Sequence, residues 1–161
     1  MNIIPTLEGG LRIDLEEATD WLLLRHLIDD ACQRELSLAE ELAQQIDEED
    51  LRDDWMEYIV PDLQGEFATS LEKVREVIAQ AVEDYQQSDN GMESLWITRD
   101  LGYDWFSSFN QARLAIEARH GFGDATKDEI MKSSNPAKCS AYYRSQFYGA
   151  VQGLLLEHVL Q

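Results

Sequence analysis

Residues 105–121 read W-F-S-S-F-N-Q-A-R-L-A-I-E-A-R-H-G, and the spacing within them decides the fold. Trp105, Phe109, Ala112 and Ile116 recur at intervals of four, three and four, which places them on one face of a helix. With about 100° of rotation per residue, the opposite side carries Tyr103, Ser107, Leu114 and Ala118, with Gln111 at its edge. A helix with an apolar front and a small or apolar back is expected to lie between neighbours. Asn110, Arg113 and Glu117 form a polar stripe between the two sides. Thr98 stands where an N-cap belongs and Gly121 where a helix stops, so a central helix is expected over 98–121.

Outward from this helix the chain reads as one domain spanning 1–161, long enough to bury a core. Ile3, Ile4 and Pro5, the Glu8-Gly9-Gly10 turn, then Leu11, Ile13 and Leu15 predict a small β-hairpin over 1–15, with Pro5 on an edge. Trp21, Leu24, Ile28 and Ala31 predict a helix from Glu16 to Arg34. Ser37-Leu38-Ala39-Glu40 is a capping-box sequence that starts another helix, running to about Ile46. The acidic run Asp47–Asp50 is expected to feed a further turn or helix reaching Tyr58. Pro61 should end that segment, because proline disfavours helix in the residue before it. Phe67, Leu71, Val74, Ile78 and Val82 give a third helix over 63–85. A polar loop follows from Gln86 to Gly91, with a brief extended piece from Ser94 to Ile97. Residues 122–138 read as irregular, with a turn of helix around Asp128–Lys132. A closing helix is expected over 140–160 with Phe147, Val151, Leu154, Leu155 and Val159 inward. The fold class is all-α: a bundle of about five helices with a small N-terminal hairpin.

Composition narrows the function more by exclusion than by assignment. The 161 residues carry a formal net charge of −19 and are 44% hydrophobic with four tryptophans, which fits a folded, acidic protein. Phosphate backbones and anionic membranes repel such a surface, so neither direct nucleic-acid binding nor a membrane role is expected. No apolar run reaches a spanning length and the N-terminus lacks a basic, apolar leader, so the cytoplasm is expected. Between Asp14 and Asp54 there are 15 acidic and 3 basic residues, whereas Arg99–Arg144 holds 6 and 7. That asymmetry reads either as a solubilising surface or as a face for a basic protein partner.

Sites of chemistry are sparse. Arg113 at the edge of an enclosed helix needs a partner, with Glu117 one turn on and Asn110 and Gln152 able to complete a polar network. That network either orients two helices or lines a groove. Glu117 and His120 form Glu-x-x-His, the pair used by di-iron carboxylate bundles, but no second copy occurs. Asp47–Asp54 lacks the calcium-loop pattern, and no nucleophile elbow or phosphate-cradling glycine loop is present. The residues name no catalytic, metal or cofactor-binding set. Cys32 follows Asp29 and Asp30, which do not favour a thiolate. Cys139, beside Lys138 and just before the closing helix, is the candidate redox thiol.

Trp105, Asn110, Arg113, Leu114, Arg119 and Gly121 (W-x4-N-x2-R-L-x4-R-x-G), with Tyr148, Gln152 and Leu155 (Y-x3-Q-x2-L), resemble the actinobacterial oxidative-stress-regulator family, long catalogued as a domain of unknown function. The hairpin-then-helix start and the lead from Pro61 to Phe67 fit the same layout. The resemblance implies a small helical cytoplasmic protein with a regulatory, non-enzymatic role, acting through proteins of the transcription machinery. In some members that role is tied to thiol sensing. Here Cys32 and Cys139 lie on different expected elements, so no sensing pair carries over. The alternatives are a metal-dependent or enzymatic bundle using Glu117 and His120, or a structural homo-oligomer.

Overall fold

Strand alternation at the N-terminus produces the hairpin and then a third strand. In the computed structural model, which describes residues 1–88, 93–123, 125–133 and 135–161, Asn2–Pro5 (β1) pairs antiparallel with Leu11–Leu15 (β2), Ile3 facing Ile13. Glu93–Ile97 (β3) pairs antiparallel with the other edge of β2, with Leu11 facing Ile97 and Leu15 facing Glu93. The expected hairpin is therefore a three-stranded sheet in the order β1-β2-β3. Two strands alone are marginal in water, and the third lets Leu11, Ile13, Leu15, Leu95 and Ile97 share one buried face. Gly10 is needed at this join, because a Cβ there would lie 2.5 Å from the carbonyl oxygen of Ile97.

Seven α-helices occur among the described residues: Ala18–Cys32 (α1), Leu38–Gln44 (α2), Glu49–Asp54 (α3), Val60–Gln87 (α4), Gly102–His120 (α5), Lys127–Lys132 (α6) and Pro136–His158 (α7). The capping box forms as read, with Ser37 N donating to Glu40 Oε2 at 2.8 Å and Glu40 N donating to Ser37 Oγ at 3.2 Å. Pro61 does not end its segment. A π-helical turn over Trp55–Ile59 joins α3 to α4, and the Val60 amide reaches back to the Trp55 carbonyl. Widening the turn accommodates a ring that has no N–H and would crowd the carbonyl four residues earlier. The polar loop expected from Gln86 begins two residues later, since α4 runs through Gln87; residues 89–92 lie outside the described residues. The closing helix starts at Pro136, four residues before the expected start. Asn135 caps it by accepting from the Lys138 amide at 3.1 Å, and proline suits the first helical position.

The 105–121 stretch forms most of α5, which packs against α1, α4 and α7. Trp105, Phe109, Ala112 and Ile116 are all fully buried, as their spacing requires. Thr98 makes no side-chain cap; a 3₁₀ turn over Arg99–Leu101 leads in instead, and Gly121 ends the helix at φ 54°. The back of the helix departs from expectation. Tyr103 is 63% exposed and Leu114 39%, while Asp104, Ser108, Gln111 and Ala115 are buried. Two polar members of that buried flank meet α4: Asp104 accepts from Ser70 Oγ at 2.9 Å and Lys73 Nζ at 3.0 Å, and Gln111 Nε2 donates to the Phe67 carbonyl at 3.2 Å. For Asp104 and Gln111 the cost of enclosure is met by these hydrogen bonds, whereas the Ser108 hydroxyl is enclosed with no hydrogen-bond partner among the described residues.

Candidate functional site

Of the four residues read as a polar network, the structure joins two directly. Arg113 Nη1 donates to Gln152 Oε1 at 2.7 Å, and Gln152 Nε2 donates to the Phe106 carbonyl at 3.2 Å. Gln152 is buried and Arg113 is exposed, so the guanidinium lies over α7 from the solvent side. Gly149 makes room for it: a Cβ there would stand 3.3 Å from Arg113 Cζ. Glu117 is turned elsewhere, its Oε1 accepting from the Gly123 amide at 2.9 Å. Asn110 is half-buried and makes no side-chain hydrogen bond to the described residues. What remains is a two-residue link between α5 and α7.

A stronger polar link, which the sequence reading missed, joins α1 to α7. Asp30 is 2% exposed and receives Arg144 in a bidentate grip, Nε to Oδ2 at 2.6 Å and Nη2 to Oδ1 at 2.9 Å. The Tyr148 hydroxyl donates to Oδ2 at 3.0 Å, and Arg144 Nη1 donates to Ser140 Oγ at 2.8 Å. Burial and the adjacent Asp30 carboxylate push the Tyr148 phenol far above its ordinary value, so it remains a neutral donor. The signal was present as the i,i+4 pair Arg144 and Tyr148 on one helix. What was missing was the long-range partner Asp30, which sits among residues that read as an acidic surface.

Glu117 and His120 do not converge. His120 stacks on Phe122 with ring centroids 5.9 Å apart. Burial, followed by the nearby cations Arg119, Arg144 and Lys138, lowers its pKa below the ordinary value. Among the described residues, no three His, Cys, Asp or Glu side chains gather as a metal site would need. Both cysteines are free. Cys139 is half-buried and its thiol lies 3.4 Å from the Ile130 carbonyl, whereas Cys32 at the end of α1 is exposed.

The most conspicuous surface is the arm formed by α3 and the π-helical turn. Among the described residues, neither element has a buried member. Trp55 leans onto a small cluster of Ala39, Ala43 and Val60, which anchors the arm to α2 and α4. Leu51, Met56, Tyr58 and Ile59 face solvent, Tyr58 at 63% exposure. The same stretch of chain, residues 47–59, carries Asp47, Glu48, Glu49, Asp50, Asp53, Asp54 and Glu57 and one cation, Arg52. Large exposed apolar side chains on a segment dominated by one sign of charge make a surface suited to a partner. π-turns are also common where helices carry function.

No helix among the described residues is long and apolar enough to cross a membrane. A family model described as "Domain of unknown function (DUF2017)" matches residues 7–159. No curated protein and no solved structure matches the chain.

Proposed function

From the premise that this chain belongs to the DUF2017 family, we propose that it is a non-enzymatic regulatory or adaptor protein that works through protein contacts. Its finer assignment, on the residue resemblance in α5 and α7, is to stress-linked transcription control in the cytoplasm. The observation that carries the reading is the arm of Glu49–Ile59, with four exposed apolar side chains on a segment rich in carboxylates. A partner for it presents apolar pockets rimmed by lysine and arginine. A second copy of this chain is disfavoured, because the same carboxylates would meet across a self-interface. Direct DNA contact is disfavoured by the net charge of −19, so a protein of the transcription machinery is the intermediary.

The test uses the immobilised full-length chain with purified RNA polymerase holoenzyme, beside a variant carrying Leu51→Ser and Tyr58→Ser. Both positions are exposed, so the variant retains the fold. Binding is expected to weaken between about 0.05 and 0.3 M salt, as exposed charges are screened, and to be lost in the variant. Equal capture by both chains would remove the arm from the account. Absence of polymerase binding at low salt would remove the transcriptional assignment.

A further inference from the structure

α5 packs against α1, α4 and α7, yet one row of it stays at the surface. Tyr103, Phe106, Asn110, Leu114 and Glu117 recur at intervals of three, four, four and three, which keeps them on one side of the helix. Tyr103, Leu114 and Glu117 are exposed, and Phe106 and Asn110 are half-buried. α7 runs antiparallel beside this row. A Cβ on Gly102 would strike Val159 at one end, and Arg113 meets Gly149 and Gln152 further along. The flank of α7 that carries Gly149 continues through Gly153 to Leu156, which is 53% exposed. A Cβ at Gly153 would meet nothing within 4 Å, so the surface there is open.

The chemistry of the α5 row is symmetric about its middle. Four residues to either side of Asn110 stand Phe106 and Leu114, and seven to either side stand Tyr103 and Glu117. The Asn110 amide makes no hydrogen bond among the described residues. When a second α5 lies antiparallel across the first with Asn110 on the two-fold axis, Phe106 meets Leu114 of the partner subunit and Tyr103 meets Glu117 of the partner subunit. An apolar side chain then faces an apolar one, and a phenol O–H faces a carboxylate. The amide, which both donates and accepts, faces itself. A lone asparagine within an apolar helix contact also fixes its register.

With a net charge of −19 on each copy, self-contact requires a face where carboxylates are sparse. The arm does not meet that condition, but the α5–α7 face does. Arg113 and Glu117 offset one another, and Gly149, Gly153 and Leu156 carry no charge. Asp62, Glu66 and Lys73 of α4 approach only its Tyr103 end. The geometry points to a second copy of this chain as the occupant: a two-fold homodimer built on antiparallel contact of α5 with α5 about Asn110. The interface is separate from the acidic arm and leaves two arms free on one assembly.

Sedimentation velocity of the full-length chain tests this. At about 0.1 mM protein, a species of twice the 18.5 kDa chain mass is expected. Because both copies carry the same net charge, the dimer should tighten as salt rises from about 0.05 to 0.3 M, the opposite of binding through the arm. Asn110→Asp sets two carboxylates on the axis at nearly constant side-chain size, and Gly153→Gln fills the open flank. Each is expected to weaken association about tenfold or more. Gly153→Gln should melt no lower than the native chain, since glutamine favours helix over glycine. In a Cys32→Ser, Cys139→Ser background, a short bis-maleimide should link Asn110→Cys to its counterpart and leave Glu83→Cys on α4 unlinked. The Leu51→Ser, Tyr58→Ser variant should dimerise like the native chain. A monomer at both salt concentrations, a dimer indifferent to Asn110→Asp and Gly153→Gln, no link through Asn110→Cys, or a dimer lost with Leu51 and Tyr58 would each overturn the assignment.

Discussion

Arg113 and Arg144 both tie α7 to another helix, and they differ in what each would leave behind. Without Arg144, Asp30 keeps only the Tyr148 hydroxyl and remains a carboxylate sealed from water. Breaking such a pair from one side costs about 3–5 kcal/mol. Arg113 lies on the surface, and its removal forfeits one hydrogen bond to Gln152, worth about 1 kcal/mol. Urea unfolding should therefore separate Arg144→Met from Arg113→Ala clearly, and equal losses would show that Asp30 finds another partner. His120 adds a pH dependence. Its pKa is lowered in the fold, by burial first and then by Arg119, Arg144 and Lys138, so the folded protein binds fewer protons there than the unfolded chain. Its stabilising contribution is complete above the ordinary value of 6.5 and is lost as pH falls through the folded value. Melting temperature should drop more between about pH 7.5 and 5.5 in the native chain than in His120→Gln, a difference that linkage sets. Parallel profiles would contradict this. At this scale the sequence named Arg113 because it interrupts an apolar helix. It passed over Asp30, since nothing local distinguishes that buried carboxylate from its exposed neighbour Asp29.

Elements were most legible where their own residues supply both pattern and cap. Ser37 and Glu40 close their capping box within four residues, and the Trp105–Ile116 row needs only helical periodicity. Pro61 was misread because its rule concerns an α-turn, and the chain inserts a wider one. Pro61→Ala would restore the missing N–H and let Trp55–Ile59 relax toward α-helix. Amide hydrogen exchange across these residues is expected to slow several-fold, since a regained helical hydrogen bond protects against local opening. Melting should not fall. Faster exchange would mean that the π-turn is held by the packing of Trp55 and not by the proline. β3 was visible as an extended piece, but its pairing with β2 was not. The 77 residues between Leu15 and Glu93 contain most of the helices, and no local pattern specifies a strand partner across that distance.

In the whole molecule, α5 is the shared wall of three helix packings, and the sheet closes the side formed with α1 and α4. The acidity of the first half is divided by this arrangement. Asp30 went inside to Arg144, while the carboxylates of Glu49–Asp54 stayed outside around exposed apolar side chains. One compositional fact thus became a structural ion pair at one place and a candidate docking surface at another. The sequence by itself determined the helical class, the buried row of α5, the N-terminal strand pairing, the start of α2 and the strong negative charge. Each of these follows from periodicity, capping or composition, which act over a few residues or over the total. Only the tertiary structure decided which polar residues are enclosed, that β3 joins the sheet, that α3 continues through a π-turn into α4, and that Arg34 is enclosed against Glu41. Those outcomes depend on which hydrogen-bonding group stands opposite which in the folded chain, and spacing along the sequence does not encode that distance.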